Sequence, residues 1–163
     1  MNWNEASRSA SGSPVFASQK ETNLVVPLLI RPVREMDLAR IQEIQSSSPE
    51  ASQWPPRDYL SYDCRVAEEN GSVLGFAVSR QIAPEESEIL NMAVDPSRRR
   101  QGIGQHLLGD LLAQHPGQFS LEVRESNEPA LRFYEQAGFR AITKRLQYYS
   151  NPVEAAIVMK LHS

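Results

Sequence analysis

The segment spanning residues 89–114 constrains the fold of this chain more than any other. It begins with an apolar, β-rich run that Asp95-Pro96 ends, and a turn with the pattern Arg99-x-x-Gly102-x-Gly104 follows. The turn leads into a helix with a wide apolar stripe. The first N–H groups of a helix lack intrahelical partners and lie at the positive end of its dipole. A strand, a glycine turn and a helix N-terminus therefore predict a site for an anion such as a diphosphate.

The glycine turn has two interpretations. In the first, its backbone holds a diphosphate, while Arg99 and Arg100 add charge-assisted contacts. In the second, it is a solvated basic turn, with one glycine for the bend and one for helix packing. Gln105 stands where a P-loop would have lysine, and the glycine spacing differs from the dinucleotide fingerprint. The turn therefore favours an anion other than ATP or NAD.

The remaining periodicity predicts a mixed α/β domain over residues 25–163, preceded by a flexible, Ser-rich tail over residues 1–24. Asn70-Gly71 predicts a β-hairpin, and the strand–helix–strand order across residues 89–123 requires a parallel pair. Strands are expected at 25–31, 64–68, 72–78, 89–94, 120–123, 139–149 and 155–161, and helices at 35–46, 57–62, 102–114 and 129–137.

Composition limits the partners and the compartment. A net charge of −3 argues against nucleic acid or an anionic membrane as a partner. No apolar run approaches the roughly 20 residues that span a bilayer. The single cysteine, Cys64, is expected to be a buried structural thiol in a cytoplasmic protein, and the 3 histidines show no metal-ligand spacing. The sequence does not distinguish a monomer from a homodimer.

A series of motifs follows the same order as in one known family. The motifs are residues 88–96 (EILNMAVDP), the turn at 99–104, residues 121–127 (LEVRESN) and residues 130–139 (ALRFYEQAGF). Together they closely resemble the GCN5-related N-acetyltransferase (GNAT) family, and within it the bacterial ribosomal-protein-alanine N-acetyltransferases. The resemblance is strongest from residue 89 to 139, recurs at 148–149 and 156–159, and is weak before residue 60.

This resemblance implies a mostly antiparallel sheet of about seven strands flanked by about four helices, with acetyl-CoA between two splayed central strands. It also assigns residues to that ligand, although from the pattern alone Met92 and Val94 are equally core residues and Asn127 is equally a helix cap. The implied acetyl-CoA contacts are Met92, Ala93, Val94, Arg99, Arg100, Gln101, Gly102, Ile103, Gly104 and Asn127.

The implied reaction is direct transfer of the acetyl group from acetyl-CoA to a primary amine, without a metal. An α-amino group has a pKa of about 8, so a base is needed to deprotonate it at pH 7. By resemblance Glu122 is that base, and Tyr134 is the acid that protonates the departing thiolate. From the pattern alone, Glu122 is an exposed strand carboxylate beside Arg124, and Tyr134 is an amphipathic core tyrosine.

The acceptor implied by resemblance is the N-terminal alanine of a small-subunit ribosomal protein, or another protein N-terminus. A small amine or antibiotic, and a CoA-binding module without catalysis, are the alternatives. Near the predicted acceptor site the chain departs from the family: Trp54 and its neighbouring prolines are spaced differently, and Gln147 replaces an asparagine. Tyr148 and Tyr149 are expected either to line the acceptor slot or to pack on opposite faces of a strand.

Overall fold

A computed structural model of the protein describes residues 25–162, so the tail predicted for residues 1–24 lies outside the described part. The resemblance correctly predicts both the number of strands and a sheet flanked by helices. The strands are β1 (Leu29–Pro32), β2 (Asp63–Glu69), β3 (Ser72–Ala83), β4 (Glu86–Val94), β5 (Gln118–Arg124), β6 (Arg140–Ser150) and β7 (Val153–His162). The α-helices are α1 (Leu38–Ser46), α2 (Ile103–Gln114) and α3 (Glu128–Gln136), and 3₁₀ helices occupy Glu35–Asp37, Pro56–Ser61 and Pro96–Arg98.

The sheet has the strand order β1-β2-β3-β4-β5-β7-β6, and all neighbours are antiparallel except β4 and β5. The predicted parallel pair is thus confirmed. Its ladder is short, because it runs only from Glu86 opposite Gln118 to Glu88 opposite Ser120. Both strands continue well beyond that point, so they splay apart and leave a gap at the centre of the sheet.

A β-bulge in β4 lies where the gap begins. Val78 pairs with Asn91 and Ser79 pairs with Ile89, so Leu90 is the extra residue. An extra residue switches the faces to which the following side chains point. Ile89 therefore joins the hydrophobic cluster on one face of the sheet, whereas Ala93 joins the cluster on the other.

Two hydrophobic layers cover the sheet. On the first face, α2 and α3 pack through Leu107, Leu111 and Tyr134 against strand residues such as Leu121 and Val123. On the second face, α1 and the 3₁₀ helix Pro56–Ser61 pack on β2, β3 and β4. The strand members of this second cluster all belong to β2–β4, so the cluster does not extend over the β5–β7–β6 half of that face.

The predicted start of the first strand is wrong. The sequence predicts a strand from residue 25, but β1 begins at Leu29, which pairs with Glu68 near the end of β2. In this register Leu28 would lie opposite Glu69, the last residue of β2, and the residues before it would lie beyond the strand. Val25 is accordingly 86% exposed. Within residues 25–162, no helix is long and apolar enough to cross a membrane.

Candidate active site

The gap between β4 and β5 brings together residues that the sequence predicts to contact acetyl-CoA. Met92, Ala93 and Val94 lie on the β4 side, where the ladder pairs β4 with β3 alone. Ala93 is buried in the second cluster, while Met92 and Val94 are partly buried against the first. These side chains are therefore core residues, and the backbone edge of β4 that faces β5 remains free of strand pairing.

The glycine turn exposes the N-terminus of α2. Gly102 is the N-cap residue with a left-handed φ of 81°, and Arg100 before it has a φ of 61°. The His106 amide donates the first hydrogen bond of the helix, to the Gly102 carbonyl at 3.1 Å. A Cβ on Gly104 would lie 3.3 Å from the Phe133 ring, so this glycine lets α2 approach α3 closely. The turn thus has the geometry of an anion site and also uses its glycines for bending and packing.

The three consecutive arginines of the turn have different surroundings. Arg98 donates to Glu69 at 2.6 Å, and Arg99 donates to Glu50 at 2.7 Å. Arg100 makes no hydrogen bond or ion pair with the residues that the structure describes. Of the two cations predicted to meet a diphosphate, Arg99 is therefore already engaged with a carboxylate.

Glu122 lies on β5 at the other side of the gap. Its neighbours Leu121 and Val123 are buried in the first cluster, so alternation directs Glu122 to the opposite face, as the sequence predicts. The Glu122 side chain is only 15% exposed, and Arg145 of β6 lies 2.7 Å from its carboxylate. The tyrosine at 148 hydrogen-bonds with the same carboxylate, which is the main reason that the pKa of Tyr148 rises to about 12.

Tyr148 and Tyr149 both border the Glu122 carboxylate, contrary to packing on opposite faces of the strand. Their rings are 5.0 Å apart in an edge-to-face arrangement, and the Arg124 guanidinium lies 4.1 Å above the Tyr149 ring. Burial and the charge of Glu122 raise the pKa of Tyr149. Strand alternation fails here because β6 shifts register between Arg145 and Tyr149, where Gln147 has a φ of 50°.

Tyr134 lies on α3, in the first hydrophobic cluster. Its ring packs edge-to-face against Phe133 at 5.1 Å and Phe139 at 5.5 Å. Burial raises the pKa of its phenol above the ordinary value. Asn127 caps the same helix, since its side-chain oxygen accepts a hydrogen bond from the Ala130 amide at 3.2 Å. The capping role of Asn127 is thus present, and it leaves the side-chain nitrogen free of that bond.

Sequence reasoning missed a polar network that fastens residues 47–55 to β4. Asn91 donates to the Ser52 carbonyl and to the Tyr59 hydroxyl, both at 2.9 Å. Gln45 is 1% exposed and bonds both the amide and the carbonyl of Trp54. The available signal is Asn91 itself, because an amide that interrupts an apolar strand must find hydrogen-bond partners when buried.

Among residues 25–162, no group of three or more His, Cys, Asp or Glu side chains is arranged to hold a metal ion. Cys64 is buried, as predicted, and burial raises the pKa of its thiol to about 12. A thiol in this environment remains protonated and is a poor nucleophile.

Comparison with known proteins identifies the family. The sequence pattern of the acetyltransferase (GNAT) family matches residues 33–139, which include the gap and the glycine turn. The chain belongs to the acetyltransferase (GNAT) family. A GNAT relative, the [ribosomal protein bS18]-alanine N-acetyltransferase of Escherichia coli (strain K12), is 38% identical over 99 residues, which cover 57% of this chain and 66% of that protein. The chain thus spans just under two thirds of that relative's length.

A second relative and a solved structure extend the match. The N-alpha-acetyltransferase RimI of Mycobacterium tuberculosis (strain ATCC 25618 / H37Rv) is 32% identical over 134 residues, which cover 76% of this chain and 85% of that protein. The crystal structure of the ribosomal-protein-S18-alanine N-acetyltransferase from Escherichia coli superposes with a TM-score of 0.71 at 30% identity, covering 83% of this chain and 94% of that chain. Fold and sequence therefore agree on the family.

Proposed function

We propose that the protein is an acetyl-CoA-dependent N-acetyltransferase that acts on the N-terminal amine of a protein. One observation carries the proposal: a partly buried carboxylate, Glu122, lies at the edge of a gap between two splayed strands, and an anion-type helix N-terminus follows one of those strands. This combination offers a base for an amine and a cradle for a diphosphate-linked thioester. It also agrees with the activities for which the relatives are named.

The residues present fit acetyl-CoA as the donor. The N-terminus of α2 supplies backbone N–H groups for the diphosphate, and Arg100 supplies a cation that no described residue neutralises. Across the gap, the backbone of Met92, Ala93 and Val94 supplies hydrogen-bonding groups for the acyl carbonyl and the pantetheine arm. Asn127 is proposed to contact the arm from the α3 side. The turn residues that would hold the diphosphate are Arg100, Gln101, Gly102, Ile103 and Gly104, with Arg99 contributing its backbone, because its side chain is engaged with Glu50.

The proposed chemistry is a single transfer within a ternary complex. Glu122 accepts a proton from the ammonium group, and the neutral amine then attacks the thioester carbonyl. A C–N bond forms and the C–S bond breaks. Tyr134 donates its proton to the departing thiolate, and the second proton, released by the acylated nitrogen, restores the Tyr134 phenol. The raised pKa of Tyr134 keeps the phenol protonated at neutral pH, which this role requires. Backbone N–H groups of β4 stabilise the negative charge that develops on the carbonyl oxygen.

The proposed acceptor is an extended protein N-terminus, with the alanine of a ribosomal protein as the first candidate. Tyr148 and Tyr149 flank Glu122 on the second face of the sheet, where an extended chain would approach. On the other side of β4, Trp54 stacks on Tyr59 at 5.2 Å within the fastened segment 47–55. These two pairs of aromatic side chains favour a peptide as the acceptor over a small, highly charged amine.

A panel of acceptors tests the proposal. Peptides that begin with Ala, Ser or Met are incubated with acetyl-CoA beside polyamines and aminoglycosides, and acetylation is measured by mass spectrometry. Each peptide is also supplied with its N-terminus blocked. We expect acetylation of free N-termini, with the Ala peptide among the best, and none of the blocked peptides. Acetylation of small amines alone would overturn the acceptor, and acetyl-CoA binding without any transfer would overturn the enzymatic function.

A further inference from the structure

The guanidinium of Arg99 joins three separate parts of the chain. Its Nε donates to the Val94 carbonyl at 3.2 Å, at the end of β4. Its Nη2 donates to the Ser48 hydroxyl at 3.1 Å and to the Glu50 carboxylate at 2.7 Å. Ser48 and Glu50 belong to the segment between α1 and the 3₁₀ helix Pro56–Ser61, which we name the acceptor loop (residues 47–55).

The acceptor loop is fastened to β4 at a second point. Asn91 donates to the Ser52 carbonyl at 2.9 Å and accepts from the Ser52 amide at 3.3 Å. Gln53 then ties the loop to itself, donating to the Ser48 carbonyl at 3.3 Å and the Ala51 carbonyl at 3.1 Å. Asn91 and Val94 both lie in the part of β4 that borders the gap. The loop is thus held against the strand that would bind the thioester.

We infer that Arg99 and Glu50 form a clasp, an ion pair that positions the acceptor loop beside the gap. The Arg99 side chain therefore acts on acceptor binding, and the diphosphate is bound by Arg100 and the helix N-terminus. The expected effect on acceptor kinetics rests on the proposed function. Arg99 and Glu50 here are positioning residues, because they act on the acceptor through the loop.

Exposure of the pair supports a local role. The Arg99 and Glu50 side chains are 43% and 39% exposed, and exposed ion pairs contribute little to global stability. The Ser48 side of the clasp is different, since Ser48 is fully buried and anchors the start of the loop. Loss of Glu50 is therefore expected to loosen the loop without unfolding the domain. A loosened positioning element lowers the fraction of bound acceptor in reactive geometry.

The kinetic test compares Glu50→Gln with Glu35→Gln. The control removes a similar exposed ion pair, Glu35 with Arg57 at 3.0 Å, that does not join the acceptor loop to β4. We expect Glu50→Gln to raise the acceptor-peptide KM about three- to tenfold, with the Kd for acetyl-CoA within about twofold of the parent. Glu50→Asp, which keeps the charge, should restore part of the loss. Equal effects of Glu50→Gln and Glu35→Gln would overturn the inference.

A second comparison separates the two arginines. Arg99→Ala should raise the peptide KM as Glu50→Gln does, and the double variant should be no worse than Arg99→Ala alone, because both remove the same contact. Arg100→Ala should instead weaken acetyl-CoA binding about tenfold, the loss expected for one charge-assisted contact. A larger loss of acetyl-CoA affinity from Arg99→Ala than from Arg100→Ala would overturn the assignment of the Arg99 side chain.

A readout independent of activity uses the fluorescence of Trp54. The chain has 2 tryptophans, so a Trp3→Phe background leaves Trp54 as the single reporter in the acceptor loop. We expect Glu50→Gln and Arg99→Ala to increase acrylamide quenching of Trp54, and Glu35→Gln to leave it unchanged. Unchanged quenching in Glu50→Gln would overturn the clasp even in an active enzyme. If no amine is acetylated, the proposed function fails, while this measurement still decides whether the clasp holds the loop.

Discussion

Glu122 and Tyr134 lie on opposite faces of the sheet, although only a short turn separates β5 from α3. Tyr134 shares its hydrophobic cluster with Leu121 and Val123, whose side chains alternate with that of Glu122 along β5. In the proposed reaction the two groups do different work, since one deprotonates the incoming amine and the other protonates the departing sulfur. In that proposal, the gap between β4 and β5 is the opening through which side chains on both faces reach one thioester.

Replacement of the base tests its role directly. Glu122→Gln should lower kcat about 10²-fold or more at neutral pH, the usual contribution of a general base. The loss should shrink as the pH rises through the amine pKa of about 8, because a neutral amine needs no base. Initial rates across a pH series measure this. Glu125→Gln is the control, since Glu125 is a nearby exposed carboxylate paired with Lys144. A pH–rate profile unchanged from that of the parent would remove Glu122 as the base.

The same substitution should change the titration of Tyr148. Its phenol has a pKa of about 12, chiefly because of its hydrogen bond with Glu122. A neighbouring negative charge favours the neutral phenol, so Glu122→Gln should move the pKa of Tyr148 down toward the ordinary value of about 10. Ultraviolet difference titration against a Tyr148→Phe variant isolates this group. If the titration is the same with and without the Glu122 charge, the contact is absent in solution.

Local sequence signals predict much of this fold. Asn70 and Gly71 have φ values of 52° and 75°, as a tight hairpin requires, and the hairpin joins β2 to β3. The helix after the glycine turn and the parallel strand pair also follow from periodicity and chain order. These features depend on residues that are neighbours in the sequence, so the pattern contains the necessary information.

Features that depend on distant contacts escaped prediction. The partner of Arg99 is Glu50, which lies 49 positions away in a segment without regular structure. Tyr148 and Tyr149 share a face only because β6 shifts register around Gln147. The strand-like sequence of this segment contains no signal that predicts the shift. The family resemblance supplies roles for motif residues, but it does not predict which arginine of the turn pairs with the acceptor loop.

Loss of the phenol at position 134 separates catalysis from packing. Tyr134→Phe keeps the ring that packs against Phe133 and Phe139, so the melting temperature should change little. Without a proton donor for the thiolate, kcat should fall about 10²-fold. The raised pKa of Tyr134 also predicts that the parent enzyme keeps this acid protonated at pH 9. Stopped assays of CoA release at pH 7 and 9 measure both points. Parent-like rates in the variant would assign Tyr134 to the core alone.

Two glycines of α2 and its N-cap offer a matched test of the diphosphate site. A Cβ at Gly102 would meet nothing closer than the His106 ring at 3.7 Å, but its φ of 81° disfavours any other residue by about 1–2 kcal/mol. Gly102→Ala should therefore reshape the turn and weaken acetyl-CoA binding about tenfold, by roughly 1.4 kcal/mol. Calorimetric titration measures the affinity, and thermal unfolding shows whether the domain remains folded.

Gly109→Ala is the control on the same helix. A Cβ there meets no atom within 4 Å, so the change should stabilise α2 by about 0.5–1 kcal/mol and leave acetyl-CoA affinity unaltered. The two variants should therefore differ: Gly102→Ala should bind acetyl-CoA more weakly, whereas Gly109→Ala should only raise the melting temperature. Equal acetyl-CoA affinity in Gly102→Ala and Gly109→Ala would show that the turn before α2 bends the chain without holding the diphosphate.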